Sequence, residues 1–310
     1  MTDKGIYTLA NDAVLDQLIA LLNSIRCNAG SDIPVKVIPY DDNIARTRRE
    51  IRERPHVSLF DEKEVLRRWE SLAEDIWGGY EKGEAYFGRH SSTVHRKLCV
   101  FDGPFDRFVF MDADTLLMDD LEKVFTLLGS NDLVTYDYQY KDPSHVFSVD
   151  DALSGGQGER EVDEKIFCVG FFASKKSVFS PELIKKLTAA LRSGDVNFLY
   201  PRAPEQSLLN YMVIKGGLSN YNIARHLSVE ERTGNSVTSS HFREREHILY
   251  DKGVRLMYLH YIGVPGKIIS KVCAGENLNF PYRDIFLHYR FLKEPSERPE
   301  FRGEAKPYVK

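Results

Sequence analysis

Two carboxylates one residue apart, Asp112 and Asp114, close the apolar run Phe108-Val-Phe-Met111. A buried strand that delivers two aspartates at its C-terminal end is costly. Desolvated carboxylates repel each other unless a cation, a proton or a strong donor set compensates. The pair therefore reads as a hard-metal site. Carboxylate oxygens suit Mg²⁺ or Mn²⁺, which are commonly held by one or two carboxylates plus the phosphates of a substrate. A metal–diphosphate site needs three further things: another ligand, a cation for phosphate charge, and backbone that can approach closely. His260 offers an imidazole, a common ligand for Mn²⁺. Lys267 offers a point charge. Gly263, in the Gly/Pro-rich turn between them, allows close backbone approach.

These residues need elements to position them. Ile6–Ala10 is a short β-type run, and Asn11 or Asp12 can cap a helix after it. Val14, Leu15, Leu18, Leu22 and Ile25 recur at helical spacing, so a helix is expected over 12–26. Pro34–Ile38 reads as a second strand. Strand, helix, strand is a βαβ unit, which implies a parallel sheet and a right-handed crossover. Ligands of such sheets bind beyond the C-terminal strand ends. That puts Ala10, Asn11, Asp12 and Asp41 on the edge that carries Asp112, provided the strands are parallel.

Further along, helices are expected over 43–52 and 61–76, with a short strand over 56–60 between them. Trp69 and Trp77 are expected to cover the core, and 78–89 to form a mobile surface loop. A helix opens near Ser92 and ends near Asp102-Gly-Pro104. Another covers 119–128, and a strand covers 133–136. Residues 139–165, with Ser154-Gly-Gly-Gln-Gly158, lack periodicity and read as a long flexible loop, a candidate lid. Ile166–Ala173 is expected as one buried strand, and helices at 181–191 and from Pro204. Arg255–Leu259 reads as a strand delivering His260. The tail is expected to be helical and then disordered.

Composition sets the frame. The chain has 310 residues with 42% hydrophobic content, enough for a sizeable core. Its 42 basic and 46 acidic residues give a net charge of -4, so there is no general drive toward nucleic acid or anionic membrane. Cys27, Cys99, Cys168 and Cys273 are far apart and lie in or beside apolar runs, which predicts reduced, buried thiols. The N-terminal apolar run is too short for a signal-peptide core, and no run approaches a membrane span. The expectation is a soluble, cytoplasmic protein without a transmembrane segment, its oligomeric state open.

With these motifs in place, the chain resembles the retaining glycosyltransferases of family 8, the group of glycogenin, galactinol synthase and the bacterial lipopolysaccharide galactosyltransferases. The likeness covers roughly 5–27 and 92–270. It rests on Tyr7-Thr-Leu-Ala-Asn-Asp12, on Lys97 in His-Arg-Lys-Leu, and on Phe110-Met-Asp-Ala-Asp-Thr-Leu116. It rests further on Glu205-Gln206 followed by Ser-Leu-Leu-Asn, and on His260-Tyr-Ile-Gly263. The resemblance implies a GT-A fold: a Rossmann-like α/β domain with a mixed, mostly parallel sheet flanked by helices. It implies one such domain over 1–275, with an extension over 276–310. It implies a Mn²⁺ (or Mg²⁺) ion on Asp112, Asp114 and His260, and a UDP-sugar donor. Tyr7, Thr8, Leu9 and Asn11 would serve the nucleoside, and Asp112, Ala113, Gly263 and Lys267 the diphosphate. Lys97, Glu205 and Gln206 would lie near the transferred sugar, with glucose or galactose the expected sugars.

The sequence departs from the family pattern in three places. Lys267 follows Gly263 by four residues rather than three and lacks the usual Pro-Trp. Cys168-Val-Gly170 stands where a polar side chain is usual. Glu205 replaces Asp. Two alternatives remain. One is a catalytically inactive relative that binds nucleotide or scaffolds a partner. The other is a haloacid-dehalogenase-type phosphatase, which also opens on an apolar run ending in Asp-x-Asp. Position argues against the phosphatase, because its motif normally sits on the first strand.

Overall fold

A computed structural model of the chain describes residues 3–78, 92–137, 146–147 and 165–308. The loops expected over 78–89 and 139–165 therefore lie almost entirely outside the described residues. In chain order the described elements are β1 (Lys4–Ala10), α1 (Leu15–Asn28), β2 (Val35–Pro39), α2 (Ala45–Arg52), β3 (Val57–Leu59) and α3 (Lys63–Trp77). Then come β4 (Arg107–Met111), β5 (Thr115–Leu117), α4 (Glu122–Leu127), β6 (Leu133–Thr135), β7 (Phe171–Lys175), α5 (Pro181–Arg192), α6 (Pro204–Lys215) and β8 (Asn220–Asn222). The chain continues with β9 (Arg243–Arg245), β10 (Ile248–Asp251), β11 (Val254–Arg255), β12 (Tyr258–His260), α7 (Gly266–Cys273), β13 (Leu278–Asn279), α8 (Arg283–Arg290) and β14 (Lys306–Pro307).

The main sheet has seven strands in the order β3-β2-β1-β4-β7-β6-β8. Pairing is parallel for β1–β4, β2–β3 and β6–β8, and antiparallel for β6–β7. The sheet is thus mixed and mostly parallel, flanked by helices, as expected. No helix among the described residues is long and apolar enough to cross a membrane. None of the four cysteines forms a disulfide. Cys27, expected inside, is exposed, because it lies past Ile25, where the buried face of α1 ends.

The chain divides into two units. The first comprises Met1–Tyr7, Phe60–Phe110 and Val124–His226. Its core is aromatic. Phe101 meets Phe179 edge-on at 4.7 Å, and Phe110 stacks on Phe172 at 5.3 Å. Such offset and edge-on pairs add about 0.5–1.5 kcal/mol beyond burial. The helix expected from Ser92 is a 3₁₀ run over Ser92–Asp102. Its three-residue repeat lines up His95, Leu98 and Phe101, all buried. The strand expected over 166–173 begins only at Phe171. The reason is that side chains take the peptide groups a ladder would use. Asn210 accepts from Phe167 N at 2.9 Å and donates to Phe167 O at 3.0 Å, and Asp137 accepts from Cys168 N at 3.0 Å.

The second unit comprises Thr8–Leu59, Met111–Lys123 and Leu227–Lys310. Its core gathers Leu116, Met118, Leu256, Leu259, Tyr261, Ile269, Phe286 and Tyr289. The strand expected over 255–259 is split. Val254–Arg255 pairs with β10, whereas Tyr258–His260 pairs antiparallel with β5. The break falls at Met257, whose carbonyl accepts from Met118 N and Asp119 N. The tail is ordered through residue 308, against expectation. α8 is tied to α1 by Asn23 Nδ2→Tyr289 O at 2.6 Å and by the Arg290–Asp16 pair at 2.7 Å. Farther on, β14 pairs with β13. Backbone pairing and these buried contacts hold a segment whose charged composition suggested disorder.

Candidate functional site

The aspartate pair lies just past the strand end. β4 stops at Met111, and Asp112-Ala-Asp114 forms a tight turn into β5. Thr115 closes it, donating to Asp112 O from its N–H at 3.1 Å and from its hydroxyl at 2.7 Å. The turn reverses the apolar run, which reads in sequence as one continuous stretch. β5 then pairs with β12 in a register that sets His260 opposite Thr115. Tyr261 N donates to Asp114 O at 2.8 Å. On its other side β12 is held by the segment around Ser236. His260 N donates to Asn235 O at 2.7 Å, Val237 N donates to His260 O at 3.1 Å, and Asn235 Nδ2 donates to Tyr258 Oη at 2.7 Å.

The result is convergence. One ligand atom each from Asp112, Asp114 and His260 lies within 4.8 Å of the others. His260 Nε2 is 3.3 Å from Asp114 Oδ1, and His260 is 8% exposed. Among the described residues this is the one group of three or more His, Cys, Asp or Glu side chains able to share an ion. Two carboxylates and an imidazole fit Mn²⁺ or Mg²⁺ by ligand type.

Beside the trio opens a cavity of about 420 Å³. Leu9, Ala10 and Asn11 line one side, with Tyr40; Asp112, Ala113 and Asp114 line another. Gln17 and the first turn of α7, at Gly266, complete it. Tyr40 N donates to Ala10 O at 2.9 Å, which fixes this strand edge. A Cβ on Gly266 would stand 3.0 Å from Gln17 Oε1, so glycine permits the close approach of α7. A helix N-terminus carries partial positive charge and suits anions.

The other candidate residues have mixed fates. Asn11 is at the cavity, but its amide serves the fold: Oδ1 accepts from Ala13 N at 3.1 Å and Nδ2 donates to Asp41 at 2.9 Å. Tyr7 turns its ring into the first unit's core against Phe60, Phe105 and Phe108, and burial pushes its hydroxyl well above its ordinary range. Thr8 is fully buried. Gly263 adopts φ 78°, and Lys267 is exposed on the first turn of α7. Lys97, Glu205 and Gln206 belong to the first unit. There Lys97 is 3% exposed with Nζ 4.9 Å from the Phe110 ring centre, and Glu205 and Gln206 open α6, Gln206 being 9% exposed. Sequence reasoning missed Gln17, Gly266 and the Asn235–Ser236 segment. Gly266 was legible only as one glycine of a turn. Residues 233–237 carry no periodicity, and their role appears only through pairing to β12.

Neither a protein-family model nor a curated protein matches the sequence. Among solved structures the chain is similar to mouse xyloside xylosyltransferase 1 in its apo form, with 11% identity over 72% of this chain and 85% of that one, at a TM-score of 0.51. It is similar to the galactosyltransferase LgtC in complex with donor and acceptor sugar analogues, with 16% identity over 84% of this chain and 87% of that one, also at 0.51. The WbbM bifunctional glycosyltransferase matches 96% of this chain at 14% identity and a TM-score of 0.52; the chain spans about half, 52%, of its length. At these identities the likeness is one of fold. The chain has the fold of GT-A glycosyltransferases.

Proposed function

We propose that this chain is a metal-dependent retaining glycosyltransferase that moves a hexose from a UDP-sugar to an acceptor. The observation that carries the reading is the meeting of Asp112, Asp114 and His260 at a strand end, beside a cavity at the C-terminal strand ends, the edge where such sheets bind ligands. Asp112, Asp114 and His260 would hold Mn²⁺ or Mg²⁺. A cation there offsets the negative charge that develops on a departing diphosphate. The chain's own residues do the rest. Leu9, Ala10 and Tyr40 shape a wall for the nucleoside. The N-terminal turn of α7 and the Lys267 charge favour the diphosphate. Lys97, Glu205 and Gln206 are the first unit's candidates near the sugar, and their test is kinetic: kcat falls more than UDP affinity. No side chain is assigned as nucleophile or general base. Glucose or galactose is the proposed sugar, on the resemblance alone, and a cytoplasmic setting is part of the same reading.

The test is UDP-sugar hydrolysis and UDP calorimetry with and without Mn²⁺. Asp114→Asn and His260→Ala should each lower Mn²⁺-dependent turnover by about 10²-fold or more, because losing the ion removes several kcal/mol of charge stabilisation. The melting curve should be little changed. Undiminished turnover in both variants would sink the ligand assignment. Tight UDP binding with no turnover of any donor would favour the inactive binding module.

A further inference from the structure

Helix α2 is unlike the rest of this acidic chain. Residues 45–54 read Ala-Arg-Thr-Arg-Arg-Glu-Ile-Arg-Glu-Arg, five arginines against two glutamates, in a protein of net charge -4. The segment buries Ile44, Thr47, Ile51 and Arg54. Arg46, Arg48, Arg49 and Arg52 are exposed. At about 100° per residue, Arg48, Arg52 and Arg49 fall within an arc of about 100° on the solvent side. Among the described residues none of these three has an ion-pair partner. Glu50 does not neutralise them, because its carboxylate holds the buried Arg54 at 2.6 Å.

Further basic residues gather past the C-terminal end of α2. A cavity of about 230 Å³ lies at the start of β2 and β3, the opposite strand ends from the candidate metal centre. Arg26, Arg54 and Lys293 line it, with Asp32 as its one carboxylate. Arg54 is fixed there by Glu50 and by Asn23 Oδ1 at 2.8 Å. Burial chiefly lowers the Lys293 pKa, helped by the charges of Arg54 and Arg26 and opposed by those of Glu50 and Glu53. Next to Lys293 is Leu292, one of three exposed large hydrophobic residues among those described.

We propose that the arginine face of α2, continued by Arg26 and Lys293, docks this protein on an anionic lipid surface. Clusters of four to eight basic residues on an amphipathic helix have this property, each residue near an anionic leaflet strengthening partitioning by roughly fivefold. A flat lipid surface fits better than a long polyanion. The patch has no aromatic residue in 44–54 to stack on a base. Leu292 adds an apolar group for shallow entry between headgroups. No residue of this patch touches the candidate metal centre, so docking and transfer can be tested separately.

The test is co-sedimentation of the full chain with vesicles, of phosphatidylcholine alone or with one third phosphatidylglycerol. Binding should require the anionic lipid and should weaken steeply toward 0.5 M salt, where the Debye length is about 4 Å. The triple variant Arg48→Gln, Arg49→Gln, Arg52→Gln should lose about a hundredfold in partitioning, with its melting curve and UDP affinity unchanged. Equal binding to neutral vesicles, or full binding by the triple variant, would overturn the proposal. So would tighter capture of a single-stranded oligonucleotide than of the anionic vesicles at the same salt.

Discussion

Thr8 is completely buried, and its hydroxyl has no hydrogen-bond partner among the described residues. An unsatisfied buried hydroxyl costs about 1–3 kcal/mol, and a methyl of the same shape avoids that cost. Thr8→Val should therefore raise stability by about 1 kcal/mol, read as the urea midpoint at constant m. A lower midpoint would mean that the hydroxyl has a partner in solution, such as a buried water. Residue chemistry was the most legible layer of this protein. Two aspartates one apart, an imidazole and a lysine declare their ligand types without any structure. Sequence separation hides their meeting, because Asp114 and His260 are brought together only by the β5–β12 register. Tyr7 shows the opposite case. It stands in a motif that suggested nucleoside binding, yet its ring is a core residue, since alternate strand positions face opposite sides.

At the scale of elements, Asp12 plays a part that no local motif announced. Its carboxylate accepts from Arg46 N at 2.9 Å, from Thr47 N at 2.7 Å and from the Thr47 hydroxyl at 2.8 Å. The residue at the N-cap of α2, Ile44, cannot cap with its side chain, so a residue from the turn after β1 does so. Burial alone would raise the Asp12 pKa, but these donors outweigh it and the pKa is lowered. The stabilisation is therefore present above the ordinary carboxylate pKa and is lost as pH falls through the lower folded value. Asp12→Ala should cost about 1–2 kcal/mol at neutral pH, the usual range for losing a cap, and less in acid. A cost that does not shrink in acid would remove the carboxylate's charge from the account. Asn210 is the second such tie. Asn210→Ala leaves both peptide groups of Phe167 unpaired and should cost about 2–4 kcal/mol in denaturant melts. Periodicity located α1, α3, α5 and α6 to within a few residues. It missed the break before β7 because apolar residues on both sides of Gly170 mimic one strand.

For the whole molecule, buried histidine sets the acid side of the stability curve. His95 is fully buried, its Nε2 accepts from Trp77 Nε1 at 3.2 Å, and burial lowers its pKa to about 3. It is neutral in the fold and titrates near 6.5 when unfolded. Below that value the unfolded chain takes up a proton that the folded chain refuses. Stability should fall by up to about 1.4 kcal/mol per pH unit from about pH 6.5 down to the folded pKa. His95→Gln should flatten this limb, whatever its effect on stability at neutral pH. Urea midpoints between about pH 7 and pH 5 check it, and an unchanged slope would clear His95 of the effect. The sequence by itself determined the class of this protein: an α/β chain with a βαβ start, a hard-metal ligand pair after a short strand, and a resemblance to one transferase family. It could do so because periodicity and ligand type are local properties. Tertiary structure alone decided that Asp112, Asp114 and His260 meet, that Gln17 and Gly266 close a cavity beside them, and that α2 faces outward with its arginines. Those facts rest on strand register, a reversing turn and the choice of buried helix face. Each depends on contacts between residues distant in the chain, as in the 2.9 Å reach from Asn11 to Asp41 and the 3.3 Å reach from Asp114 to His260.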